Sequence, residues 1–121
     1  LGLAWPERVP DAAPSFDWGR PRDWHFEPLD ATAFPAVELA RRCGRAGGTA
    51  PAVFNAANEV CVDAFCAGRL GFLGIVATVE AVVDEHLASG HVADAALTLD
   101  DVLAADARAR RRAAELTGSD G

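Results

Sequence analysis

The sequence predicts a mainly α fold, in which an extended N-terminal connector arm with a short strand-like stretch precedes a small four-helix bundle-like domain. Prolines recur every few residues over 1–33. From residue 34 onward, apolar residues recur with the 3.6-residue period of a helix, and glycine-containing breaks separate four such stretches. We therefore expect a Trp- and Pro-rich connector at 1–33, a helical domain at 34–116 and a frayed tail at 117–121.

The connector holds five of the seven prolines and all three tryptophans. Prolines at this density prevent a helix from propagating, because each removes a backbone donor. Trp24, Phe26 and Pro28 alternate with His25 and Glu27, which is the pattern of a short strand. The arm has little apolar sequence of its own against which to bury its aromatic rings. We therefore expect it to run along another domain.

The first helix is predicted from Pro35 to Cys43, with proline at the first helical position. The second is predicted from Pro51 to Gly68, where a glycine is suited to the C-terminal cap. Gly44–Thr49 forms the break between them. Their apolar faces are expected to consist of Val37, Leu39, Ala40 and Cys43, and of Val53, Phe54, Ala57, Val60, Cys61, Ala64 and Phe65.

The third helix is predicted from Leu73 to Leu87, before Gly90, with a broad apolar stripe. The fourth is predicted to begin at Thr98, because Thr98 and Asp101 have the spacing of a capping box. Acidic residues at its start and arginines near its end both complement the helix dipole. The stripe consists of Ile75, Val76, Val79, Val82 and Val83, and the arginines are Arg108, Arg110, Arg111 and Arg112.

The charge balance excludes several classes of function. The chain has 18 acidic and 11 basic residues, a net charge of −7, and no lysine. Nucleic acid is not expected as a partner, because phosphate contacts need a basic face. The absence of lysine removes Schiff-base chemistry and the P-loop lysine. No apolar run reaches the roughly 18 residues of a membrane span, so no membrane partner is expected.

The three cysteines, Cys43, Cys61 and Cys66, do not form a disulfide framework. Their odd number and their spacing indicate a reducing compartment, for which we expect the cytoplasm. No Cys-x-x-Cys motif is present. We expect these thiols to pack as small apolar groups and not to act in catalysis.

His86 and His91 are five residues apart, across the predicted end of a helix. Two metal ligands on one helix face are usually four apart, so we expect helix-terminal histidines and keep a small metal-binding protein as a weak alternative. Gly47-Gly48-Thr49 precedes a helix and could bind an anion through backbone N–H groups. Because Pro51 removes one donor, we expect this loop to cap the helix instead.

Asn55, Asn58 and Glu59 are the most unusual cluster in the chain. Asparagine disfavours a helix interior, and two of them on an otherwise apolar helix need hydrogen-bond partners if buried. We interpret the cluster as interdomain polar contacts. Direct contact with a ligand stays the alternative.

Three segments carry a resemblance to a known family: AWPERV at 4–9, FEP at 26–28 and APAVFNAANEV at 50–60. Together and in this order they resemble the 1-deoxy-D-xylulose 5-phosphate reductoisomerase family, and the resemblance covers essentially the whole chain. It implies that the chain is a C-terminal fragment, consisting of the connector and the helical C-terminal domain. The absence of methionine at position 1 agrees with this expectation.

The resemblance also implies a parent activity. The family's oxidoreductases rearrange 1-deoxy-D-xylulose 5-phosphate and reduce it with NADPH to 2-C-methyl-D-erythritol 4-phosphate in isoprenoid biosynthesis. The parent would use Mg²⁺ or Mn²⁺ and form a homodimer, and this fragment's partners would be the parent's catalytic and NADPH-binding domains. The family's catalytic, cofactor and metal motifs lie upstream, so no such residue is transferred here and the fragment alone is expected to be inactive.

The alternative from another class of protein is an independent helical interaction module without catalytic activity. Such a module would bury its tryptophans within its own fold, whereas a fragment would expose them.

Overall fold

The computed structural model describes residues 17–118, so the AWPERV segment and the last three residues lie outside the described range. Within that range the chain is mainly α, as predicted, and contains four α-helices: α1 (Ala36–Ala46), α2 (Ala50–Cys66), α3 (Phe72–Ser89) and α4 (Leu99–Leu116). A 3₁₀ turn at Asp94–Ala96, which was not predicted, lies between α3 and α4. None of the helices in residues 17–118 is long and apolar enough to cross a membrane.

The strand considered at residues 24–28 is wrong, because residues 17–118 contain no strand. A strand requires a neighbour to complete its hydrogen bonds, and Pro21 and Pro28 have no N–H to offer one. The side chains of Trp18, Trp24 and Phe26 are 87%, 68% and 83% exposed. The arm therefore does not bury these rings in the helical part of the chain, which is the outcome expected of a fragment and not of an independent module.

Helix α2 lies at the centre and contacts each of the other three helices. Its buried face is made of alanine, cysteine and one valine, and α4 meets it with alanines only. Small side chains allow two helix axes to approach closely. The valines of α3 supply the larger groups of the core. The fully or nearly fully buried residues include Ala56, Ala57, Cys61, Val79, Val83, Ala105 and Ala113.

Helix α1 begins and ends slightly later than predicted. Pro35 precedes the helix, Gly44 lies within it, and the helix ends at Ala46 because Gly47 turns the chain with a φ of 65°. An isolated glycine is tolerated inside a helix, and here it did not mark the end. Leu39 and Cys43 are buried as predicted, whereas Val37 is 40% exposed.

Helix α2 ends at Cys66, and Gly68 forms the predicted glycine cap with a φ of 73°. The Arg69 N–H donates to the Ala64 carbonyl and the Gly68 N–H donates to the Phe65 carbonyl, both at 2.9 Å. This pair of bonds is a Schellman motif, which satisfies carbonyls that the helix end would leave free.

The ends of α4 are held by two threonines. At the start, the Asp101 N–H donates to Thr98 Oγ1 at 3.2 Å and the Thr98 N–H donates to Asp101 Oδ2 at 3.0 Å, so the predicted capping box is present. At the end, Thr117 is buried and its hydroxyl donates to the Ala113 carbonyl at 2.8 Å. Thr117, predicted to begin the frayed tail, is therefore fixed against the helix.

Candidate functional site

The loop Gly47–Thr49, between α1 and α2, uses its backbone donors within the chain. The Gly48 N–H donates to Asp94 Oδ1 at 2.6 Å, and the Thr49 N–H donates to the Val92 carbonyl at 3.1 Å. The carboxylate of Asp94 thus occupies the place that an anionic ligand would take. The Thr49 side chain makes no capping bond to α2. The loop therefore attaches the segment between α3 and α4, and it caps the start of α2 through its backbone, since the Gly47 carbonyl accepts the Ala50 N–H at 3.1 Å.

Both glycines of this loop are required by its geometry. Gly47 and Gly48 have φ values of 65° and 53°, where a side chain is disfavoured. A Cβ on Gly48 would overlap the Val92 carbonyl oxygen, and a Cβ on Gly47 would press on the Asp94 carboxylate. The two glycines therefore allow the 92–94 backbone to approach the loop closely.

The two histidines lie against the same loop. Thr49 is fully buried, and its Oγ1 lies 2.8 Å from His86 Nε2 while accepting a hydrogen bond from the Val92 N–H at 3.1 Å. His91 Nε2 lies 3.3 Å from the Gly47 carbonyl oxygen. Burial, followed by the charges of His91 and Arg108, lowers the pKa of His86.

These contacts identify the histidine pair as part of the junction between the loop and the end of α3. His86 lies in the last turn of α3, where the sequence placed it. Within residues 17–118 no group of three or more His, Cys, Asp or Glu side chains is arranged to hold a metal ion. The packing therefore accounts for both rings without a metal.

The cysteines take no part in a reactive cluster within the described range. Cys43 and Cys61 are buried, Cys66 is exposed, and all three are free thiols. Burial raises the pKa of the Cys43 and Cys61 thiols, which keeps them protonated and unreactive. Cys43 and Cys61 therefore pack as small apolar groups, as expected, whereas Cys66 is exposed and does not.

Asn55 and Glu59 form a polar strip with Arg110 and Asp106 along the exposed side of α2 and α4. Asn55 Nδ2 donates to Glu59 Oε1 at 2.7 Å, and Arg110 Nη2 donates to Glu59 Oε2 at 2.8 Å. Arg110 Nε also donates to Asp106 Oδ2 at 2.8 Å. The bonds from Arg110 and then Asn55 lower the pKa of Glu59, so its carboxylate stays charged.

Asn58 lies apart from this strip. It is half-buried and lines a notch of about 30 Å³ together with Leu39, Phe54, Val76 and Val79. The Asn58 amide has no hydrogen-bond partner among the described side chains and backbone groups. Because Asn58 is only half-buried, its amide is accessible and can pair with an incoming group.

An apolar groove of about 250 Å³ runs between the start of α1 and the start of α3. Phe34, Phe72 and Leu73 form its walls and are 62%, 71% and 81% exposed. It shares Ala36 and Val76 with the Asn58 notch, so the two form one continuous surface. We did not single out this groove from the sequence. The sequence does contain an indication of this groove. Phe72 and Leu73 are large apolar residues that precede the buried stripe of α3 and lie outside its buried face.

Comparisons with known proteins agree with this arrangement. A family model described as DXP reductoisomerase C-terminal domain matches residues 1–112. The 1-deoxy-D-xylulose 5-phosphate reductoisomerase of Cutibacterium acnes is 64% identical over 124 residues, covering 96% of this chain and 30% of that protein. The enzyme of the same name from Kitasatospora griseola is 61% identical, with 96% and 30% covered.

A solved structure has the same fold. It is the 1-deoxy-D-xylulose 5-phosphate reductoisomerase from Zymomonas mobilis in complex with NADPH, with a TM-score of 0.72 and 41% identity. The similarity covers 97% of this chain and 30% of that one, so the chain spans about a third of the length of the relatives it matches. The chain belongs to the DXP reductoisomerase C-terminal domain family.

Proposed function

We propose that this chain acts as the C-terminal part of a 1-deoxy-D-xylulose 5-phosphate reductoisomerase, in which it supports the other domains and supplies no catalytic group. The whole enzyme would rearrange and reduce its substrate with NADPH and a divalent cation, Mg²⁺ or Mn²⁺. It would act as a homodimer in the cytoplasm. The observation that carries the supporting role is the apolar surface that the chain leaves uncovered, formed by the arm and by the groove.

We propose that residues 1–33 are the connector, residues 34–116 the helical domain and residues 117–121 the tail. The exposed rings of Trp18, Trp24 and Phe26 support a connector that packs on a neighbouring domain. Exposed aromatic groups of this size are unusual on an isolated domain and typical of an interface.

The groove is proposed to receive apolar side chains from the part of the reductoisomerase that precedes this chain. Burying a side chain such as Phe72 or Leu73 contributes about 1.5–3 kcal/mol. Two such residues at 71% and 81% exposure therefore offer a substantial part of the free energy that would hold the domain in place.

Asn58, Asn55 and Glu59 are proposed to supply polar contacts between domains, on two separate parts of the surface. Asn58 lines the notch that adjoins the groove, where its amide can pair with a backbone group of the incoming segment. Asn55 and Glu59 are already bound within the strip. On the exposed side of this strip they would form directional hydrogen bonds to a neighbouring domain. They would not bind a small ligand.

A chimera tests this function. Residues 1–121 would replace the matching C-terminal part of the Cutibacterium acnes reductoisomerase, and turnover would be followed as NADPH oxidation with Mn²⁺ and 1-deoxy-D-xylulose 5-phosphate. We expect the chimera to be active and the isolated chain to show no turnover. Asn58→Leu in the chimera should weaken domain association, whereas Arg111→Ala, outside the groove, should not. Turnover by the isolated chain would contradict the proposal.

A further inference from the structure

A second cavity, the α3–α4 cleft, lies between the last turns of α3 and the middle of α4 and is lined in part by His86. It has a volume of about 220 Å³. Its floor is apolar and its rim carries two arginines and a histidine, the lining groups used here being Val53, Val82, Ala109, His86, Arg108 and Arg112. Sites for drug-sized ligands enclose roughly 300–1,000 Å³, so this cleft suits a smaller molecule.

Arg108 differs from the other arginines near it on α4. Arg110 is held by Glu59 and Asp106, and Arg112 is held by Glu85 and Glu115. Arg108 makes no ion pair with any described residue, although the chain has 18 acidic groups. The cleft therefore carries a guanidinium that forms no ion pair with a described carboxylate, and it attracts Asp101 on the same helix only from beyond ion-pair distance.

Arg112 and Glu85 are the other charged side chains that line the cleft. Arg112 donates to Glu85 through Nε at 2.8 Å and through Nη2 at 2.9 Å, and its Nη1 donates to Glu115 at 2.9 Å, so its charge is engaged within the chain. His91 is not among the residues that line the cleft, and its ring centre is 6.1 Å from that of His86. The lining of the cleft therefore carries two arginines against one carboxylate, Glu85, whereas Glu115 and Asp101, which also interact with these arginines, lie outside the lining.

His86 can add a hydrogen-bond donor to the cleft. Thr49 Oγ1 already accepts from the Val92 N–H, so its own hydrogen can be donated to His86 Nε2. A neutral imidazole that accepts at Nε2 carries its proton at Nδ1. Gly90 lines the cleft beside this atom, and a Cβ on Gly90 would lie only 3.1 Å from Nδ1. The missing side chain leaves that face of the ring open.

We propose that the α3–α4 cleft binds a small organic carboxylate with a compact apolar body. Arg108 would bind the carboxylate as a charged donor, the His86 Nδ1–H would donate a second hydrogen bond, and the apolar body would lie on Val53, Val82 and Ala109. A guanidinium matches the planar geometry of a carboxylate. The site is independent of the role proposed for the groove, so either could fail without the other.

Titration with benzoate tests the site on the full 121-residue chain, observed as ¹H–¹⁵N shifts of the His86 ring and of residues lining the cleft. We expect saturable shifts, binding at least tenfold weaker for the neutral isostere benzamide, and binding weaker still for inorganic phosphate, which has no apolar body. Bound benzoate should also raise the pKa of His86, because an adjacent anion favours the protonated ring.

Two variants distinguish benzoate binding in the cleft from a nonspecific attraction of benzoate to any exposed arginine. Arg108→Ala should weaken benzoate binding at least tenfold. Arg111→Ala, which removes an exposed arginine on the same helix outside the cleft, should leave it unchanged. Non-saturable shifts, equal binding of benzamide and benzoate, or equal losses in the two variants would each overturn the proposal. Because both side chains are on the surface, neither variant should alter the helical circular dichroism.

Discussion

Thr49 Oγ1 and His86 Nε2 lie 2.8 Å apart and join the start of α2 to the end of α3. The same hydroxyl accepts the Val92 N–H at 3.1 Å, so one buried side chain satisfies a histidine and a backbone donor. The Gly47–Thr49 loop, His86 and the 92–94 segment are therefore a single structural unit that sets the path from α3 to α4.

Replacing the Thr49 hydroxyl should destabilise this unit. Thr49→Val keeps the shape of the side chain but leaves the Val92 N–H and the His86 ring without their partner. Loss of a buried partner costs about 1–3 kcal/mol, and urea unfolding followed by circular dichroism should show a decrease of that size. Thr49→Ser, which keeps the hydroxyl, is the matched control and should lose clearly less. Equal losses would show that the methyl group matters and not the hydrogen bond.

Stability should decrease as the pH falls through the range in which His86 titrates. Burial lowers the pKa of His86 in the folded chain, so the unfolded chain takes up a proton first, near pH 6.5. The stability that neutral His86 contributes is therefore fully present above about pH 6.5. It is lost as the pH falls from there through the pKa of His86 in the folded chain. Urea unfolding at a series of pH values measures this slope.

His86→Gln should remove the slope near neutral pH, whereas His25→Gln in the exposed arm should keep it. Both variants should still lose unfolding free energy at more acidic pH, where the carboxylates titrate. Arginine contacts lower the pKa of Glu59 and Glu85, and stability from such carboxylates is present above about pH 4.3 and lost as the pH falls through their folded pKa values. An unchanged slope in His86→Gln would assign the effect to another group.

The effect of a glycine substitution on stability should depend on the backbone φ at that position and on the space available to the added Cβ. Gly48→Ala would combine a φ of 53° with an overlap of its Cβ with the Val92 carbonyl, and we expect a loss of about 1–3 kcal/mol. Gly44→Ala lies inside α1 with open space around it, and should stabilise the chain by roughly 0.5–1 kcal/mol. Thermal unfolding measures both, and a stabilising Gly48→Ala would contradict the geometry described for the loop.

The four helices were predictable because local signals mark them. The capping box at Thr98, the glycine cap at Gly68 and the valine stripe of α3 each act within a few residues of the chain, and the structure has them where the sequence placed them. The end of α1 was wrong by three residues because Gly44 is also compatible with a helix interior.

The contacts between distant segments were not predictable. Asp94 reaches Gly48 and His86 reaches Thr49 only after three helices have packed, and no local pattern encodes those pairings. The separation of Asn58 from Asn55 and Glu59 has a similar origin. Residues three and four apart share one side of a helix, but their surroundings depend on which neighbouring helix covers each of them.

The central claim, that the groove packs against the rest of the enzyme, is tested most directly by one pair of substitutions in two settings. Phe72→Ser with Leu73→Ser should lower the unfolding free energy of the isolated chain by no more than about 1.5 kcal/mol, since both side chains are mostly exposed there and Phe72 loses an edge-to-face contact with Phe65. In the chimera the same pair should lower the stability of the active enzyme by about 3–6 kcal/mol, because two buried side chains are lost. Leu103→Ser, exposed outside the groove, is the control. An equally small effect in both settings would contradict the claim.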